Sequence, residues 1–129
     1  MLDGRRILIA EDESFIADCL ARAVEDADGE VAGLVSSVRE GLALLAKTDV
    51  HAAILDVRLV DRDVAPIATA LLDRGKVVVF HTASPVPPEI VARQGRIVVC
   101  PKPMVAATVV IRLAGLISAG GRKRWPGAD

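Results

Sequence analysis

His51-Ala52-Ala53-Ile54-Leu55-Asp56 is the stretch on which the reading of this chain turns. Its apolar residues are continuous rather than alternating, as in a strand of a sheet covered on both faces. The run stops on a carboxylate. A charge at the end of a buried strand must be paired or bound to a metal, because desolvating it alone is costly. Three other apolar runs also deliver polar groups at their C-terminal ends. Ile7-Leu8-Ile9-Ala10 leads into Glu11-Asp12-Glu13, Val77-Val78-Val79-Phe80 into His81-Thr82, and Ile97-Val98-Val99-Cys100 into Pro101-Lys102-Pro103. The carboxyl ends of strands are where open parallel sheets keep their sites.

Between these runs the pattern becomes helical. Over residues 14–28, Phe15, Ile16, Cys19, Leu20, Ala23 and Val24 share one face, with Asp18, Arg22, Glu25 and Asp26 opposite and Gly29 as the expected stop. A short strand is expected over residues 31–35. Ser37-Val38-Arg39-Glu40 then has capping-box spacing, opening a helix to about Lys47 that buries Val38, Leu42 and Leu45. A loop over residues 57–62 leads to a helix over 63–74, with Pro66 tolerated in its first turn and Gly75 ending it. After a strand over 76–81, Ser84-Pro85-Val86-Pro87-Pro88 forbids continuous helix and leaves one or two turns over 89–94. A strand over 97–100 and a helix over 104–119 complete the pattern. Strand and helix alternate five times, which predicts an α/β fold: one doubly wound, five-stranded parallel sheet with a shortened fourth helix. Residues 120–129 are expected to form a flexible basic tail.

A length of 129 residues argues for one domain, and an apolar content of 52% supplies a core. A net charge of −1 recruits neither nucleic acid nor membrane. No apolar stretch reaches the ~20 residues of a membrane span, and no secretory signal pattern is visible. Cys19 and Cys100 make no disulfide framework and fit a reduced, cytoplasmic compartment. Phe15, Phe80 and Trp125 are the aromatics, with no tyrosine, which argues against an aromatic platform for bases.

Glu11 and Asp12 after the first strand and Asp56 after the third would repel unless a cation sits among them. Mg²⁺ suits such a site, since it binds one or two carboxylates together with waters and phosphate oxygens. The plainer reading of Glu11-Asp12-Glu13 is an acidic helix start favoured by the macrodipole; Asp56 on a separate strand end tips the balance toward a site. Lys102, alone a turn lysine, could there neutralise an incoming anion. Thr82 supplies a hydroxyl, or caps a turn. His81 titrates near neutral pH in general but reads as a tolerated strand-end residue. Together these groups suit attack by a carboxylate on a phosphoryl donor to give an acyl phosphate.

The chain resembles the response-regulator receiver domain of two-component signalling over about residues 4–119. The motifs are the acidic pair Glu11-Asp12, Asp56, Thr82 and Lys102-Pro103, in order at successive strand ends. The resemblance implies a flavodoxin-like strand order 2-1-3-4-5, with residues 1–119 as the receiver and 120–129 as the tail. It implies Asp56 as phosphoacceptor, Mg²⁺ held by Glu11, Asp12, Asp56 and the Arg58 backbone carbonyl, and Thr82 and Lys102 on the phosphoryl group. The donor would be a sensor histidine kinase or phosphotransfer protein. The output would be a downstream protein or a phosphate sink or relay, since no output domain is expected after residue 119. Such a chain phosphorylates itself, with autodephosphorylation, rather than turning over an external substrate. Three features depart from the pattern: the loop Val57-Arg58-Leu59-Val60-Asp61-Arg62 lacks glycine, Val99 stands where Tyr or Phe is usual, and the fourth helix is short. The pattern Asp56…Leu59…Pro66-Ile67-Ala68, with Phe80 before Thr82, looks like single-domain receivers found with HWE-type kinases.

Two rival readings remain. A metal-dependent nuclease-like module would use Glu11 with Asp61-Arg62-Asp63, but those aspartates lie past the strand end and leave Lys102 unexplained. A degenerate receiver would serve interaction alone, yet all five site residues are present. Met104, Val105, Val109, Val110, Ile111, Leu113, Leu116 and Ile117 wrap more than one face of the last helix, which is either well buried or offers an apolar strip to a partner or second copy. Arg122-Lys123-Arg124-Trp125 reads as a solvated tail rather than a nucleic-acid contact.

Overall fold

The computed structural model describes residues 1–93 and 96–124. Five strands, β1 (Arg6–Ala10), β2 (Glu30–Val35), β3 (Ala52–Leu55), β4 (Val77–Thr82) and β5 (Ile97–Pro101), alternate with five helices. The helices are α1 (Ser14–Asp26), α2 (Val38–Lys47), α3 (Ala65–Asp73), α4 (Pro88–Val91) and α5 (Ala106–Arg124). The sheet is parallel throughout in the order β2-β1-β3-β4-β5, the flavodoxin-like topology that the motifs imply.

Successive side chains of a strand point to opposite faces, and here both faces are covered. Leu8, Ala10, Ala53, Leu55, Val78 and Phe80 pack with Val38, Leu45, Ile67, Leu71 and Ile90 of α2, α3 and α4. Ile7, Ile9, Ala52, Ile54, Val77 and Val79 pack with Leu20, Val24, Val109, Val110 and Leu113 of α1 and α5. This explains why the central runs do not alternate in sequence. Each large side chain so buried contributes roughly 1.5–3 kcal/mol before chain entropy is counted.

Several local expectations shift. Helix α1 buries Ala17, Leu20 and Val24, and Phe15, expected on the same face, is 78% exposed. The apolar stripe is therefore rotated toward the small Ala17, and Phe15 falls on its opposite side. The left-handed residue after α1 is Asp28 (φ 68°) rather than Gly29. Gly29 answers a different need: a Cβ there would come within 2.6 Å of Leu2 Cδ1 and 2.9 Å of Val24 Cγ1. Leu42 is exposed, and Gly41 takes the inward position on α2. Helix α3 begins at Ala65 and α4 spans Pro88–Val91, where its Pro-rich start leaves room for a single turn. Strand β5 is an edge, with Val99 exposed although it belongs to an apolar run. Helix α5 starts at Ala106 and continues past Ala119 to Arg124, so the expected tail begins inside a helix; residues 125–129, with Trp125, lie outside the described residues.

Candidate functional site

Strand register assembles the site. Ala10 pairs with Leu55, so the next residues, Glu11 and Asp56, emerge side by side. Asp56 N–H donates to Ala10 O (2.8 Å) and Glu11 N–H to Val35 O (2.9 Å), which fixes both backbones just beyond the sheet. Thr82 pairs with Pro101, and Lys102 N–H donates to Thr82 O (3.0 Å), so the lysine leaves β5 level with the other groups. The order of strands reverses around β1, which places the cluster at the topological switch point. The Lys102–Pro103 peptide is cis.

The Lys102 ammonium joins the cluster together. Its Nζ lies 2.8 Å from Asp56 Oδ2, 3.1 and 3.2 Å from the two oxygens of Glu11, and 3.4 Å from Glu13 Oε2. Asp56 is 7% exposed and Glu11 3%, whereas Asp12 is exposed. Oxygens of Glu11, Asp12 and Asp56 lie within 4.8 Å of one another, an arrangement that could hold a metal ion. Glu11 Oε1 supports that fit: it is buried and, although near Nζ, is not aligned for any hydrogen bond among the described residues. A hard cation would give this oxygen its partner.

The charges divide the work unequally. Burial first, and Asp56 second, push the Glu11 carboxyl up to about 7, against the opposing pull of Lys102. Burial alone would also raise Asp56, but the hydrogen bond and charge of Lys102 hold it below the usual carboxylate range. Burial would lower Lys102, and its hydrogen bonds to Asp56 and Glu11 raise it instead. At neutral pH the site thus holds an ionised Asp56 against an ammonium, with Glu11 near the middle of its titration.

Thr82 is buried at the end of β4, but its hydroxyl donates to Ser84 O (3.2 Å) and accepts from Ser84 N–H (2.9 Å). It is bonded within its own turn and also helps to hold the Asp56 carboxyl down. The Arg58 side chain is exposed, and its backbone pairs with Asp63 across the loop.

Solved structures with the same architecture are numerous. SdrG from Sphingomonas melonis Fr1 is 34% identical, covering 91% of this chain and 99% of its own, with a TM-score of 0.74. A CheY-like response regulator receiver domain protein from Methanospirillum hungatei JF-1 aligns with a TM-score of 0.79 at 19% identity, over 93% of this chain and 98% of its own. The chain belongs to the response-regulator receiver family of two-component signalling. The receiver domain of PhyR from Erythrobacter litoralis also matches, with a TM-score of 0.75 at 20% identity over 91% of this chain and 92% of its own. No protein-family model and no curated protein matches the chain. Among the described residues of this receiver, no helix is long and apolar enough to cross a membrane.

Three residues of the receiver have roles that the sequence reading did not assign. Glu13 reaches Lys102, and its N–H donates to Glu11 Oε2 (3.2 Å); the acidic triplet was the available signal. Asp61 accepts from the first two N–H groups of α2, Val38 (2.8 Å) and Arg39 (3.1 Å). Asp63 Oδ1 accepts from Ala65 N–H (2.9 Å) at the start of α3. The two aspartates that a nuclease-like site would need are therefore engaged as helix caps. His81, read as a strand-end residue, is buried with both ring nitrogens unpartnered among the described residues. Its only sequence signal was a polar residue in an apolar run.

Proposed function

We propose that this receiver accepts a phosphoryl group on Asp56 from a phosphohistidine of a sensor kinase or phosphotransfer protein. The observation that carries the proposal is the ionised Asp56 carboxylate, buried at the switch point with the Lys102 ammonium 2.8 Å away. An oxygen of Asp56 attacks phosphorus, the P–N bond to the donor histidine breaks, and its electron pair leaves on nitrogen. The product is an acyl phosphate. Lys102, already within reach of both buried carboxylates, turns to the added phosphoryl charge. Glu11, Asp12 and Asp56, with the Arg58 carbonyl, would hold Mg²⁺, which when bound neutralises the charge on the transferring group. Thr82 exchanges its Ser84 hydrogen bond for a phosphoryl oxygen, which moves the turn leading to α4.

The signal then leaves through a protein surface. Val105, just before α5, and Ile111 within it remain exposed and offer an apolar contact for a downstream partner or a second copy. An HWE-type donor rests on the sequence pattern around Asp56, Pro66 and Phe80. Residues 1–119 would act as the switch, in the cytoplasm, where phosphoryl donors of this class are made.

Reductive trapping tests the site. After incubation with acetyl phosphate and Mg²⁺, borohydride converts an aspartyl phosphate to homoserine, and peptide mapping locates it. Homoserine at position 56 is expected; homoserine at another carboxylate, with none at 56, would overturn the assignment.

A further inference from the structure

Beside the carboxylate site lies a cavity of about 290 Å³, between α1 and the start of α5. Its walls are mostly apolar: Ile16 and Leu20 from α1, Met104 and Pro103 from the segment before α5, and Phe15 at the mouth. Two stronger polar groups reach it, His81 and Lys102. The Lys102 ammonium is already committed to Asp56 and Glu11. His81 is not committed. It follows Val77 and Val79 on the face of β4 that packs against α1 and α5. It is 4% exposed, yet neither Nδ1 nor Nε2 has a hydrogen-bond partner among the described residues. An unmet buried polar atom is expensive, and an aliphatic side chain would cover the same face without that cost.

We propose that this cavity binds a small, neutral, one-ring molecule bearing a single hydroxyl, of which phenol is the simplest, with His81 as its polar anchor. Size supports this class. An apolar cavity of about 150 Å³ takes benzene, and pockets for larger ligands begin near 300 Å³. Charge supports it too. The nearby ammonium disfavours a cation, and an anion would find that ammonium already paired by two carboxylates. Burial and the charge of Lys102 keep the imidazole below its ordinary pKa. It therefore offers one donor and one acceptor at neutral pH, and a hydroxyl is matched to either.

The test is a titration of the full chain with phenol and, separately, with benzene, followed by amide NMR shifts. Saturable phenol shifts confined to residues 15–20, 81 and 102–106 are expected, with benzene binding about three- to tenfold more weakly. His81→Leu should keep benzene binding and lose the preference for phenol. Met104→Trp, which fills the cavity from another lining residue, should abolish both. Absence of saturable shifts with either probe, equal affinities for the two in the native chain, or a phenol preference that survives in His81→Leu would each overturn the proposal. The native-chain comparison decides the matter if a variant fails to fold.

Discussion

Glu11 is the residue on which the cluster's electrostatics are most exposed to test. Its folded pKa of about 7 lies above the ordinary 4.5, through burial first and Asp56 second. For a raised acid pKa, the favourable contribution to folding is complete below pH 4.5 and is lost as pH climbs through about 7. Above that, keeping Glu11 ionised costs about 3 kcal/mol. Glu11→Gln cannot ionise, so in EDTA at pH 8 it should be more stable than the native chain by up to that amount, with the difference closing toward pH 4.5. Urea melts across this range measure it, and parallel pH profiles for the two proteins would refute the charge assignment. Mg²⁺ should raise the melting temperature of the native chain at pH 8 and leave Glu11→Gln nearly unchanged. Asp56 has the opposite sign: its depressed pKa adds stability that is lost only as the solution becomes acidic. The prominence of Asp56 in the sequence comes from local contrast, a carboxylate ending an apolar run. Glu13 and His81 lacked that legibility, because their partners, or the absence of partners among the described residues, arise from chain segments far away in sequence.

At the level of elements, the loop after β3 shows how a departure from the family pattern is accommodated. Without glycine, residues 57–64 close through Leu59 N–H to Arg62 O (3.2 Å) and Val64 N–H to Val57 O (2.8 Å). Val60 N–H donates to Ser36 O (3.1 Å), and Asp61 caps α2. Ser37 Oγ accepts from Glu40 N–H (3.1 Å), and Gly41 N–H donates to Ser37 O (3.1 Å), so the first four N–H groups of α2 are all satisfied. The capping box is half-formed, since Glu40 reaches back to Ser36 rather than Ser37. Asp61→Ala should cost about 1–2 kcal/mol and lower the melting temperature by roughly 3–6 °C, with faster amide exchange at Val60. Unchanged stability would mean that Ser37 alone caps the helix. Element order was legible because hydrophobic period separates strand from helix even when boundaries slip by a few residues. The side of α1 that faces the sheet was not: periodicity gives a stripe's width, and the small Ala17 hides where that stripe is centred. Nor does an apolar run reveal that β5 ends the sheet.

For the whole molecule, the proposed switch puts the chemistry at one end of the sheet and the movement in the segment after β4. Val99 is exposed, and a valine has one stiff χ1 torsion, so it cannot act as the usual aromatic gate. Among the described residues between Thr82 and β5, the four-residue α4 is the regular structure, with Ile90 as its buried anchor. Such segments lie at the low end of local stability. Phosphorylation should draw Thr82 from Ser84 toward Asp56 and order residues 83–93, an order–disorder switch. Amide exchange with and without beryllofluoride measures this, and equal, strong protection of residues 83–93 in both states would exclude it. The central claim is that Asp56 is the phosphoacceptor, and intact-mass spectrometry after incubation with acetyl phosphate tests it most directly. The native chain with Mg²⁺ should gain a single phosphoryl group, while Asp56→Asn, and the native chain in EDTA, should gain none at a comparable rate; equal phosphorylation of Asp56→Asn would contradict the account.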